Sequence, residues 1–390
     1  MTTGSTSNVS ATGATLSASF EGATGTIYET GFLSGKSEGS LEELEALKGD
    51  GTNNASGTFS ATLGSLDPET TYWYKAYIRE WNESTSEWEY RYGSARSFTT
   101  TRRTSADMPS WLEMPAWTSA GMSGTTTSSL DDLYPLVHKV GSGASSQRNY
   151  SCLYDPEMYA SYWVAYPLCA AHLGSGYSTS WAYDPAVPSG KQTNLTAGAY
   201  GVSVKTENYP NNLYSRGHQI PNADRSGVSD MNAQTFYMTN LTPQLQYGFN
   251  SPVWSDLETA VRDLTSSTDS VYVVTGAAFR KKGGTESVTT ITNSRDGKKI
   301  PVPNYYWKVL LKVKWSGSDA SKTVSSASTI GVWMPHADLK GQSYTSYVVS
   351  VDQIEAWTGF DLFTNLPGDN SSGIEKTAEA NTSWTDFQSF

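Results

Sequence analysis

The sequence predicts an all-β sandwich followed by a larger α+β domain, and three observations carry that reading. The chain has 390 residues, more than a single domain usually holds. Its first hundred residues break into short alternating strands between turns, whereas the remainder mixes longer strands with helices and no regular βαβ rhythm. Hydrophobic residues make up 37 % and aromatic residues 12 %, with 13 Trp and 24 Tyr, enough apolar surface for two cores.

Residues 1–101 contain "ATLSASF", "GTIYETGFLS", "GTFSATL", "TYWYKAYIRE" and "YGSARSFTT", whose spacing and alternation are those of a β-sandwich. Within them "LGSLDPETTYWYKAYI" and "YGSARSFTT" resemble a fibronectin type III domain, through Leu66, Pro68, Thr71, Tyr72, Tyr74 and Phe98 to Thr100. That resemblance implies a spacer or adhesion surface. Residues 102–125, rich in Ser, Thr, Gly and Pro without sustained periodicity, read as a linker and lead-in, leaving 126–390 as the second domain.

In the second domain "YWVAYPL" (162–168), "VYVVTGAAF" (271–279) and "NYYWKVLLKVKW" (304–315) read as strands. In the last, Trp307, Val309, Leu311, Val313 and Trp315 share one face and Lys308, Lys312 and Lys314 the other, the pattern of a half-buried strand. "SPVWSDLETAVRDL" (251–264) predicts a helix with Asn250 or Ser251 as N-cap and Pro252 in the first turn, and "SVDQIEAWTGFDLF" a second, shorter one.

Composition excludes several functions. The longest apolar runs fall far short of the roughly 18 residues a membrane-spanning helix needs. The amino terminus lacks the charged and apolar regions of a signal peptide. The abundance of Ser, Thr, Asn, Gly and Tyr with only 17 % charged residues suits an exported protein (extracellular, periplasmic or surface lipoprotein) whose signal is absent from this sequence. Cys152 and Cys169 form no metal-ligand spacing; a hairpin turning near Pro156 pairs Cys152 near residue 162 and leaves Cys169 far down the strand, so no disulfide is predicted. A net charge of −11 opposes a polyanionic partner, and both halves are acidic, so any phosphate binding must be local. No G-x-S-x-G elbow, Walker loop, H-E-x-x-H or dinucleotide fingerprint occurs.

Chemistry concentrates in "YSRGHQIPNADR" (214–225) and in the segment from Gln234 to Leu264. A lone histidine beside a glycine is commonly structural. Asn250, Trp254, Glu258 and Arg262 recur every four residues, which places an amide, a carboxylate and a guanidinium on one helical stripe. An ordinary helix with an N-cap Asn, a core Trp and a Glu–Arg pair shows the same stripe, so the spacing alone leaves both readings open.

Together the blocks resemble the DNA/RNA non-specific endonucleases, the Serratia-type nuclease family of the ββα-metal, or His-Me finger, superfamily. The family's Asp-Arg-Gly-His matches Ser215 to His218, and its Pro-x-Ala-Asp-Arg matches Pro221 to Arg225. Phe-x-x-(Ser/Thr)-Asn-x-x-Pro-Gln matches Phe236, Thr239, Asn240, Pro243 and Gln244, and the metal-site helix matches Asn250, Trp254, Glu258 and Arg262. The later strands and an Ile-Glu-x-x-Thr-Gly element follow in order, so that the resemblance covers about residues 130–370.

The resemblance implies an α+β ββα-metal fold with a central antiparallel sheet and flanking helices, and a Mg²⁺-dependent, sugar-nonspecific endonuclease whose substrate is the backbone of DNA and RNA. His218 would be the general base, Asn250 the direct ligand of one Mg²⁺ (or Mn²⁺), and Glu258 a ligand through metal-bound water. Arg216 and Arg262 would clamp phosphate, Asn240 would support the site, and products would carry 5′ phosphates. The same resemblance admits a homodimer. Ser215 stands where the family has Asp, and Thr179 where it often has an arginine ahead of the Trp matching Trp181. Those departures motivate the alternative of an exported binding or adhesion protein with a weakly active nuclease domain.

Overall fold

The computed structural model describes the chain except for residues 24–25, 44–46, 49–55, 65, 102–107, 118–131, 143–144, 177, 179, 267–269, 319–321 and 370–372. Thr179 and much of the expected linker therefore lie outside the described residues. The chain divides into two compact units, Met1–Asp107 and Met108–Phe390. The lead-in belongs to the second unit from Met108 onward, because Met114 and Trp117 are buried in its core.

The first unit pairs a three-stranded sheet with a six-stranded one. Ala14, Leu16 and Ala18 from the first share a core with Phe32, Tyr72, Tyr74 and Phe98 from the second, so alternate residues of both sheets face inward. Tyr72 also fixes the turn before its strand, accepting a hydrogen bond from the Asp67 amide at 3.0 Å. The Thr100 hydroxyl closes that corner, donating to the Asp67 carbonyl at 2.6 Å.

The second unit is α+β, built on a seven-stranded sheet whose order is Tyr134–Val140, Gln147–Asp155, Ala160–Leu168, Val271–Ala278, Tyr305–Ser316, Thr323–Pro335 and Val348–Val349. Every neighbouring pair is antiparallel. Cys152 pairs with Val164, two residues beyond the predicted register, and both cysteines are free.

The sheet is covered on both faces. Tyr166, Val273, Leu310 and Val332 point into one core with Val253, Trp254, Leu257 and Val261 of the helix Val253–Asp263. Trp163, Val274, Val309 and Trp333 point into the other with Val351 and Ile354 of the helix Val351–Thr358. This corrects the half-buried reading of the strand Tyr305–Ser316. Lys308 is 1 % and Lys312 3 % exposed, because the face that carries them lies under a layer of helices rather than water. Lys312 donates to the carbonyls of Phe387 and Gln388, both at 3.1 Å, at the end of the helix Trp384–Ser389, where an ammonium suits the partial negative charge.

Candidate active site

Two pieces of chain on the first of these faces carry the candidate residues. His218 closes the strand Asn212–His218, which pairs antiparallel with Leu241–Leu245. Along the strand, Tyr214, Arg216 and His218 share one face while Ser215 and Gly217 share the other. Gly217 is required there: a Cβ would come within 2.5 Å of the Gln244 Cβ, since the buried Gln244 side chain fills that space.

His218 is half-buried. Its ring lies against Phe236, edge to face at 5.1 Å, and 5.2 Å from Trp181. One ring nitrogen bonds the Arg216 backbone, and Nε2 is enclosed without a protein partner. Burial, with the Arg216 cation beside it, holds the imidazole down at about 4, so it is neutral at pH 7. His336, by contrast, bonds through both nitrogens, accepting from the Leu245 amide and meeting the Pro303 carbonyl, each at 2.8 Å. His138 also has an unpartnered nitrogen, Nδ1, but is sealed beneath Tyr150 and pairs with Asp184 at 2.8 Å.

Arg216 stacks on Trp181, its guanidinium carbon 3.6 Å from the ring centroid, and donates to the Leu195 carbonyl at 2.9 Å. Stacking orients the planar fork while leaving other donors for a phosphate. Ser215 points to the opposite side of the strand from His218 and donates to the Gln244 carbonyl at 3.0 Å. The hydroxyl that replaces the family's carboxylate thus serves the strand pair.

Asn240 is fully buried, and its whole amide is engaged. The oxygen accepts from the Ile220 amide at 3.0 Å, and the nitrogen donates to the carbonyls of Ile220 and Thr235 at 3.0 and 2.8 Å. It clamps the turn after His218 and holds no atom for a substrate. That turn delivers Asp224 and Arg225. Arg225 is buried and spends its guanidinium on Asn149 Oδ1 and on the carbonyls of Asn149, Pro167 and Asp224. Asp224 accepts from Tyr166 at 2.8 Å and pairs with Arg262 at 3.0 Å.

The helix begins later than the sequence suggested. Pro252, not Asn250 or Ser251, is its N-cap, and Asn250 lies in the preceding turn, where its backbone amide donates to the Leu245 carbonyl at 2.9 Å. Among the described residues the Asn250 side-chain amide has no hydrogen-bond partner. Trp254 is core, as on an ordinary helix, packed against Phe249 and Tyr306. Glu258 and Arg262 project from the same helix. Arg262 also donates to Thr259 at 3.0 Å and keeps a fifth of its side chain exposed.

Sequence reasoning missed Lys308. Its ammonium is buried without a hydrogen-bond acceptor, 5.2 Å from the Trp254 ring centroid. Burial raises the Glu258 carboxyl, opposed by Lys308 and Arg262 and reinforced by Asp224, while burial lowers the Lys308 ammonium. Two carboxylates and two cations therefore balance within the layer. Alternation assigned Lys308 to solvent, and only the helix packed over it reveals the role.

An oxygen-only donor set suits a hard divalent cation. The Asn250 side-chain oxygen, without a hydrogen-bond partner among the described residues, and the Glu258 carboxyl on the following helix are such donors. These residue types fit a divalent metal of the kind the resemblance implies.

Comparison with known proteins identifies the family. The family described as DNA/RNA non-specific endonuclease matches residues 135–369. A nuclease of Nostoc sp. is 28 % identical over 238 residues, 60 % of this chain and 77 % of its own length. The nuclease of Serratia marcescens is 30 % identical over 219 residues, 55 % of this chain and 72 % of its own. The mitochondrial nuclease EXOG of Danio rerio is 28 % identical over 233 residues, covering 58 % and 62 % of the two chains. Because the family match spans more than half of the sequence, the chain belongs to the DNA/RNA non-specific endonuclease family, and is a metal-dependent nuclease that hydrolyses phosphodiester bonds.

Proposed function

We propose that the second unit cleaves DNA and RNA endonucleolytically with His218 as general base and Mg²⁺ as the metal, Mn²⁺ being able to replace it. The observation that carries this reading is the His218 Nε2. A buried ring nitrogen without a partner costs about 1–3 kcal/mol, a cost that His336 in the same unit avoids. The neutral imidazole held by the Arg216 backbone is in the form that can remove a proton from water.

Asn250 would ligate Mg²⁺ directly and Glu258 would hold its waters. When bound, the metal supplies positive charge against the phosphate and the departing 3′ oxygen. Arg216, oriented on Trp181, and Arg262, braced by Asp224, bind phosphate oxygens and direct attack so that the 5′ phosphate stays on the product. Such a site reads backbone rather than base edges, and little sequence or sugar preference follows. Local cations also reconcile phosphate binding with the −11 charge. The first unit is proposed as a fibronectin type III-like spacer and the protein as exported.

The test incubates plasmid DNA and RNA separately with wild-type protein in Mg²⁺, in Mn²⁺ or in EDTA, beside His218→Ala. Metal-dependent degradation of both substrates, reduced about 10²–10⁴-fold in the variant, is expected for loss of a general base. Intact substrate at micromolar protein, or unchanged cleavage by the variant, contradicts the assignment.

A further inference from the structure

The opposite face of the sheet carries a second concentration of carboxylates. Asp352 and Glu355 lie on the helix Val351–Thr358, and Glu379 ends the helix Gly373–Glu379. One oxygen from each lies within 4.8 Å of the others, the separation that two oxygens reach when each binds a Ca²⁺-sized ion at about 2.4 Å. Val351 and Ile354 anchor the first helix in the core on the far side of the sheet from the Glu258 helix.

Three facts separate this group from an ordinary acidic surface. Glu379 is completely buried, yet neither of its carboxyl oxygens has a hydrogen-bond partner among the described residues. Its oxygen nonetheless converges with those of Asp352 and Glu355, within 4.8 Å of both, from a separate helix. Lys376 pairs at 3.1 Å with Asp352, whose side chain is a third exposed, and among the described residues no ammonium is paired with Glu379. Burial, with Glu355, Glu375, Asp352 and Asp361 nearby, pushes Glu379 up to about 10; Glu355 is pushed to about 8 mainly by burial although the Leu362 amide donates to it at 2.6 Å. A positive charge placed among these oxygens removes both penalties.

We propose that Asp352, Glu355 and Glu379 bind a calcium ion that ties the helix Gly373–Glu379 to the helix Val351–Thr358. The donors are all carboxylate oxygens with no nitrogen or sulfur, which favours a hard cation, and the loose three-carboxylate grouping suits the flexible coordination of Ca²⁺ better than the strict octahedron of Mg²⁺. Glu379 lies beyond the family-matched segment, which ends at residue 369, so the site joins that segment to the chain that follows it. The ion is structural, and its binding stabilises the folded state by linkage.

Full-length protein stripped with EDTA and dialysed is titrated with CaCl₂ by calorimetry and melted with and without Ca²⁺. Asn250→Ala serves as background so that the candidate active site does not contribute. One saturable site and a Tm rise of several degrees are expected in that background. Adding Glu379→Gln weakens Ca²⁺ binding by about 10-fold or more and removes the Tm rise. Asp352→Asn, at a more exposed position, has the same direction and guards against misfolding of the first variant. No saturable Ca²⁺ binding at millimolar concentration overturns the proposal, as does Ca²⁺ binding unchanged in well-folded Asp352→Asn and Glu379→Gln. Failure here leaves the His218 site untouched, since neither variant contacts it.

Discussion

Asn240 immediately precedes the short strand Leu241–Leu245 and Asn250 lies five residues beyond it, and the fold treats them in opposite ways. Asn240 is completely buried and commits its entire side-chain amide to Ile220 and Thr235. Asn250 is half-buried, and its amide engages no described residue. Both fall within motifs that resemble one family, so motif membership does not separate chemistry from support. The difference lies in which polar atoms the protein has already used: those bonded internally position the site, and those left over are available to metal, water and phosphate.

The largest expected effect breaks the committed side of this comparison. Arg225→Ala orphans acceptors on Asn149 and Pro167 and empties a buried space, so urea unfolding should show a loss of about 4 kcal/mol. A loss below about 1 kcal/mol would mean that the guanidinium is dispensable to the fold.

Lys308→Met tests an uncommitted buried charge. Without the ammonium, the Glu258 carboxyl rises further, and a smaller fraction is ionised at neutral pH. Activity should fall roughly 10-fold at pH 7 and partly recover as pH increases, because under the proposed mechanism the ionised carboxylate would hold the metal's waters. A uniform loss at every pH would indicate mispacking instead.

The pH dependence of the wild type tests His218 directly. Its folded value of about 4 lies below the ordinary 6.5 or so, so the imidazole stays neutral through pH 5 and is protonated only as pH drops through about 4. Because the Glu258 carboxyl is itself raised by burial and shapes the rate profile, the His218 ring is followed by NMR titration instead; a midpoint near 4 is expected, and one at about 6.5 would show an unburied base. Stability has the same sign. His172, His218 and His336 are each lowered to about 4, so the unfolded chain takes up more protons below its ordinary value, and stability is lost as pH falls from about 6.5 towards 4. Activity must therefore be normalised to folded protein.

The smallest effect belongs to Ser215. Its hydroxyl faces away from His218, so Ser215→Asp should change cleavage by less than about 2-fold. A large gain would show that the family's carboxylate acts on the histidine across the strand.

Much of this is legible in the sequence. Alternation located the long strands, and the four-residue recurrence put Trp254, Glu258 and Arg262 on one helix, because local periodicity is written in neighbouring residues. Layering was not legible. Lys308 and Lys312 read as solvent-facing since nothing local says that helices from residues 253 and 384 cover their face. The same limit hid the difference between the two asparagines, which depends on whether Ile220 and Thr235 return to meet the side chain.

The comparison is tested most directly by measuring Asn250→Ala and Asn240→Ala side by side, recording both Tm and Mg²⁺-dependent cleavage per folded molecule. Asn250→Ala should lose cleavage by about 10²-fold with Tm nearly unchanged, as expected for loss of a metal ligand. Asn240→Ala should lose about 3 kcal/mol of stability, from buried backbone groups left unpaired, and keep substantial cleavage in the molecules that remain folded. The reverse pattern, with Asn240→Ala stable but inactive and Asn250→Ala active, would contradict the assignment of chemistry to the unengaged amide.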